Sequence, residues 1–310
     1  MIDVLARMAA LIALGAAWRV AQPGGLSGDH VRQALTAVVY YLLLPAMIVR
    51  ILWSVALDLD SVRIAVTAAA VVVFGGGLGW LAARALALGP TRTGALLLAA
   101  AFPNAVYMGL PALDAALGPV GQAIAIQFDY FACTPLLLTV GVLLAQEYGA
   151  RGRGEALTGD TPLRRLGRVP PFWAALAGVA LNLGGLPLPN LLDGLLGTLS
   201  AGVVPLMLLS LGMSLSLTTL DRQTLTATTP VLVIQLALQP LLALAIAEGI
   251  GLTGAPRIGT VLEAAMPSMV LGIVLCDRYG LDSRFYSLNV TVSTLLSLLT
   301  LPLWLMVLTD

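Results

Sequence analysis

Ala99-Ala-Ala-Phe-Pro-Asn-Ala-Val-Tyr-Met-Gly-Leu-Pro111 is the stretch that decides how this chain folds. It lies inside an apolar run long enough to cross a bilayer, yet it carries Pro103 and Asn104 side by side, then Gly109 and Pro111. Proline donates no helical hydrogen bond and clashes with the carbonyl four residues back, so a helix breaks or kinks here. In hydrocarbon, the freed backbone groups must be met by protein, water or a ligand. A second break of the same kind follows at Glu263-Ala-Ala-Met-Pro267-Ser268, where Ala264-Ala-Met-Pro267 repeats Ala100-Ala-Phe-Pro103 at an offset of 164 residues. Two interrupted membrane helices at matching places in two halves of a chain point to a transporter's binding site.

Composition agrees with a membrane solvent. Hydrophobic residues make up 59% of the 310 and charged residues 10%, and the mean hydropathy is +0.95. A soluble domain carries about a quarter charged residues, so the chain reads as an all-α integral membrane protein lodged in the lipid bilayer. Sixteen basic residues, all Arg, balance sixteen acidic ones, which excludes a nucleic-acid partner held by bulk basicity. Cys133 and Cys276 lie in or at the end of apolar runs, an arrangement that favours neither a disulfide nor a metal site. Asp3 precedes Arg7 and no small-residue cleavage site follows, so the N-terminal apolar run is read as a retained first span.

At about 20 apolar residues per crossing, ten spans fit. They are placed at 4–20, 31–57, 62–88, 93–117, 120–148, 171–183, 191–217, 225–250, 257–279 and 283–308. Gly15 and Gly178, Pro45 and Pro205, and Pro103 and Pro267 recur at offsets of 163, 160 and 164. The expectation is therefore a five-helix repeat over 1–148, a polar loop at 149–168 with five arginines, and a second repeat over 169–310. An odd number of spans per half inverts one repeat against the other. Twelve arginines fall on the side of the odd-numbered connections and four on the other, which puts the first side in the cytoplasm and both termini outside.

Polar groups inside the spans are costly and so carry the functional signal. Asn104 follows the first break; its amide either meets a substrate or caps the second half-helix. Ser268 takes the corresponding place after Pro267, and Glu263 stands one turn before it, either as a cation or proton site or as a residue in contact with water near Arg257. Asp129 lies deep in the fifth span; on a regular helix Gln127, Tyr130 and Thr134 share one face while Asp129 and Cys133 share another. Asn289, Ser293, Ser297 and Thr300 make a polar stripe that suits interhelical hydrogen bonding. Gln235 and Gln239 form an i, i+4 pair without an assigned role, and Pro45 and Pro205 read as kinks. The sequence carries no Walker loop and no nucleophile elbow, so neither ATP hydrolysis nor enzymatic chemistry is expected, and no cofactor or metal.

Phe102-Pro-Asn-Ala-Val-Tyr-Met-Gly-Leu-Pro111 resembles the fourth-span motif of the auxin efflux carrier family, in which a Pro-Asn pair is followed by Met-Gly-Ile-Pro. Ala265-Met-Pro267 through Arg278-Tyr-Gly280 resembles that family's second crossover, Phe128-Asp129 a pair common in its bacterial members, and Gln127 a glutamine of its plant members. The resemblance covers essentially the whole chain. It implies ten helices in two inverted repeats, related to the bile acid:sodium symporters. Helices 1, 2, 6 and 7 would form a scaffold, helices 3–5 and 8–10 a moving transport domain, and broken helices four and nine would cross. It further implies a small organic anion as substrate (auxin-like or a dicarboxylate), elevator motion, a homodimer and a bacterial inner (plasma) membrane. The chain departs from many bacterial members at Ala105-Val106, where they carry Thr-Gly, and at Ala132-Cys133, where they carry Asn-Thr, so substrate identity does not transfer.

The combined expectation is a secondary active transporter. Asn104, Pro103, Gln127, Ser268 and Pro267 would bind substrate, and Asp129 and Glu263 would hold a coupling Na+ or H+. Gly109 and Pro111 would serve as the crossover hinge. The rival reading is an uncoupled facilitator or channel on the same fold.

Overall fold

The computed structural model describes residues 2–55, 57–154, 170–214 and 222–309, and among these the regular structure is helical, with no strands. In chain order the segments are α1 (Ile2–Ala21), α2 (Gly28–Ser54), α3 (Leu59–Ala85), α4 (Pro90–Ala101), α5 (Ala105–Leu117) and α6 (Pro119–Arg153). They continue with α7 (Pro170–Leu183), α8 (Asn190–Ser200), α9 (Val203–Ser214), α10 (Thr224–Gly249), α11 (Gly254–Ala264), α12 (Gly272–Tyr279) and α13 (Ser283–Thr309). Among the described residues, six stretches are long and apolar enough to cross a membrane: α2, α3, α6, α8 running into α9, α10 and α13. The chain is thus a multi-pass membrane protein. Arg164, Arg165 and Arg168 of the polar loop, and the end of the seventh span at Leu217, lie outside the described residues.

Local chemistry sets the helix ends. Ser27 caps α2 through the His30 N–H, and Asp58 caps α3 by accepting from the N–H groups of Asp60 (2.9 Å) and Ser61 (3.3 Å). Between α5 and α6 the chain reverses on Gly118, whose φ of 64° and ψ of −146° suit only a residue without a Cβ.

Four of the prolines inside helices are each preceded by a π turn. Val39–Leu43, Ala105–Gly109, Asp129–Cys133 and Ile234–Leu238 are single π turns, each ending two residues before Pro45, Pro111, Pro135 or Pro240. A proline ring would strike the carbonyl four residues back, and one extra residue in the preceding turn moves that carbonyl aside. The displaced Leu236 carbonyl in front of Pro240 accepts instead from Trp304 Nε1 at 2.9 Å. Pro205 has no such turn, because α9 starts afresh at Val203 and takes the proline in its first turn.

Packing divides the helices. α1 lies along α9, where a Cβ on Gly15 would collide with the Leu209 carbonyl and one on Gly212 with the Ile12 carbonyl. α7 lies along α2 with Gly178 against Val49 and Leu52, and α8 and α9 complete that group. Small residues at such crossings let backbones approach where lipid offers no hydrophobic drive. In a second group, α3 packs on α4 and α10, α4 on α6 and α13, α5 on α6, and α11 on α6 and α10. The groups touch where α9 reaches Ala105–Gly109, where α1 reaches α5, and where α2 and α7 reach α6. Cys133 and Cys276 are both buried and free.

Candidate functional site

Both helix breaks are present, and they meet. α4 ends at Ala101 and α11 at Ala264; the short extended pieces that follow pair antiparallel, Pro103 opposite Ser268. The Asn104 N–H donates to the Pro267 carbonyl at 2.8 Å and the Met269 N–H to the Phe102 carbonyl at 3.0 Å. Each break thereby supplies partners for the other, which is how non-helical backbone survives away from water.

Asn104 is 1% exposed, and its side-chain Nδ2 and Oδ1 are buried without a hydrogen-bond partner. It occupies the N-cap position of the following helix but makes no side-chain cap bond, so the capping role considered from sequence is not the one it plays. Its carbonyl accepts from the Gly109 N–H at 2.9 Å, closing the π turn. Ser268 is spoken for: its hydroxyl donates to the Ala99 carbonyl (2.8 Å) and its N–H to Ser293 Oγ (3.1 Å). Ser268 therefore ties the second break to α4 and α13, and Ser293 uses the α13 stripe in the interhelical way expected.

Glu263 is fully buried and both carboxylate oxygens lack a partner. It does not reach water beside Arg257, which instead pairs with Glu248 at 3.1 Å. The Glu263 carboxylate fills the space a Cβ of Gly109 would need, so Gly109 is required by a close approach from α11. Asp129, 1% exposed, accepts from Thr134 Oγ1 at 2.7 Å through Oδ2, while Oδ1 has no partner. Regular helical spacing puts Thr134 on a different face from Asp129; the π turn at Asp129–Cys133 inserts a residue and brings position i+5 round to Asp129.

Asn104, Tyr107, Asp129, Tyr130, Thr134 and Met269 line one small cavity of about 40 Å³, room for about two or three waters. Gln127 is not there. It is buried beneath a second cavity of about 410 Å³, whose rim carries Arg50, Asp58, Asp60, Gln122, Asp193 and Pro256. Arg50 meets Asp193 in a forked ion pair (2.6 and 3.3 Å) that joins α2 to α8 at this mouth. The structure thus brings Pro103, Asn104, Pro267 and Ser268 together, sets Asp129 on the same small cavity as Asn104 and Glu263 against Gly109, and leaves Gln127 at a different opening. Sequence reasoning missed Thr134, hidden by the π turn, and Gln235 and Gln239, which reach the first break from α10. Two glutamines one turn apart in an apolar span were the available signal.

The sequence matches the family model described as membrane transport protein over residues 5–305. The chain belongs to the auxin efflux carrier family. The carrier is 34% identical over 286 residues to an uncharacterised transporter of Methanothermobacter thermautotrophicus, covering 92% of this chain and 91% of the relative. It is 26% identical over 216 residues to one of Methanocaldococcus jannaschii, covering 69% and 68%. Membership makes it a membrane transporter, of a family that is not enzymatic.

Proposed function

We propose that this carrier is a secondary active transporter for a small organic anion, a carboxylate, bound where the two broken helices meet and moved by alternating access. The observation that carries the reading is the Asn104 amide, buried with both polar atoms unpartnered at the crossing. An amide at that depth without a partner is expensive, so a ligand that both donates and accepts, or accepts alone, relieves a standing cost. Glu263 and Asp129 hold open carboxylate oxygens close by. A buried carboxylate must be neutralised, and a co-transported H+ or Na+ does so while balancing the anion. Those two groups favour coupled transport over a passive facilitator on the same fold.

The path follows from the architecture we assign: ten crossings in two inverted five-helix repeats. Its support is pairwise. α1 packs on α9 through Gly15 while α7 packs on α2 through Gly178, and each of the two breaks is buried against the other. Helices of the first packing group make the scaffold; those of the second, carrying both breaks, make the moving domain. The 410 Å³ cavity opens among the even-numbered connections, which the arginine bias assigns to the outside of the plasma membrane, and Gln127 receives substrate at its floor. A homodimer through the scaffold completes the proposal.

The test is a thermal-shift screen of the purified carrier against mono- and dicarboxylates, with and without Na+, at pH 5.5 and 7.5. Binding stabilises in proportion to RT ln(1 + [L]/Kd). A carboxylate that raises Tm in wild type and fails to do so in Asn104→Ala supports the site; a carboxylate that stabilises both equally removes it.

A further inference from the structure

In an unbroken helix the carbonyls of Ala99, Ala100 and Ala101 would accept from the N–H groups of residues 103, 104 and 105. None of these is delivered. Pro103 has no N–H, the Asn104 N–H goes to the Pro267 carbonyl and the Ala105 N–H to the Pro103 carbonyl (2.9 Å). Three carbonyls are left at the end of α4, on residues that are at most 3% exposed. All three are met by side chains from elsewhere. Ala99 O accepts from Gln235 Nε2 and from Ser268 Oγ, each at 2.8 Å. Ala100 O accepts from Gln239 Nε2 at 2.9 Å and Ala101 O from the same nitrogen at 3.3 Å. That –NH2 group, with two hydrogens for three acceptors, also reaches the Val71 carbonyl of α3 at 3.3 Å, so that one hydrogen is shared between two carbonyls; it passes over Gly75, where a Cβ would collide with both the amide and the Ala100 carbonyl.

We infer that Gln235 and Gln239 are positioning residues of this carrier: they supply, from α10, the donors that Pro103 withholds, and so hold the end of α4 at the angle that presents Asn104 to its ligand. Because every partner is a carbonyl, the –NH2 end of each side chain must face the break. Gln239 joins three helices through one nitrogen, α3 by Val71, α4 by Ala100 and Ala101, and α10 by its own backbone. Gly75 is the residue that makes room for it, which gives the Gly75-Gly-Gly77 run a local reason beyond close helix packing. The assignment of a ligand to Asn104 rests on the function proposed above; the clamp itself does not.

Hydrogen exchange, followed by mass spectrometry on the full chain in lipid nanodiscs without any substrate, separates the two. Gln239→Met keeps the length and loses the donors; exchange in peptides over 99–111 and 263–271 should speed up by about tenfold, with peptides over 28–54 unchanged. Gln239→Glu, which when protonated retains one O–H donor, should fall between Met and wild type. A role in packing alone predicts the reverse order, since Met fills the space and Glu adds a buried acid. Gln235→Met, where Ala99 keeps the Ser268 hydroxyl, is the milder variant and should speed exchange about threefold at the break. Unchanged exchange at the break in either Met variant, a uniform rise across all peptides, or Glu faster than Met overturns the inference and leaves the transport reading standing. Loss of that reading, conversely, shows only in ligand binding at Asn104.

Discussion

Asn104, Glu263 and Gly109 lie together around the first break and shape the candidate site. Asn104 was legible because Pro103 precedes it: a break in an apolar span is rare enough to single out its neighbour. Its freedom from capping was not legible, since an N-cap asparagine and a ligand-facing one occupy the same sequence position. The approach of Glu263 to Gly109 was invisible as well, for it links residues from the two halves of the chain. It makes a sharp prediction. In Gly109→Ala the new methyl must displace the Glu263 carboxylate, and overpacking of this kind costs about 1–3 kcal/mol. The variant should melt several degrees lower in detergent, and Gly109→Ala combined with Glu263→Ala should recover most of the loss. An unshifted melting temperature in the single variant would mean the two residues do not touch.

Four π turns sit just ahead of prolines, and this is where sequence periodicity failed. A 3.6-residue repeat carried through Asp129–Cys133 separates Asp129 from Thr134, whereas the inserted residue makes them hydrogen-bonded partners. The same device at Ile234–Leu238 leaves the Leu236 carbonyl for Trp304. Replacing Trp304 by Phe keeps most of the ring and removes the donor, so a buried carbonyl goes unpaired at a cost of about 1–3 kcal/mol. Chemical denaturation should report that loss, and Pro240→Ala, which restores a helical donor to the same carbonyl, should reduce it in the double variant. A Trp304→Phe carrier as stable as wild type would show that the carbonyl finds another partner.

For the whole molecule, which helices pack together was not legible from the spans, because no single span announces which neighbours it will choose. The meeting of the breaks was foreseeable in outline from the matching motifs 164 residues apart. What the structure adds is reciprocity, with each break satisfying the other's backbone, and a cavity on one side that stops short of Asn104. On the proposed mechanism, the group that carries the breaks shifts against α1, α2 and α7–α9 until Asn104 opens to water. The most direct measurement is uptake of a radiolabelled dicarboxylate panel into proteoliposomes holding equal amounts of folded wild type and Asn104→Ala. Saturable, pH- or sodium-dependent uptake of at least one carboxylate by the wild type, reduced about a hundredfold or more in the variant, is the predicted result. Uptake by Asn104→Ala with the wild-type KM and maximal rate would contradict a substrate site at the crossing.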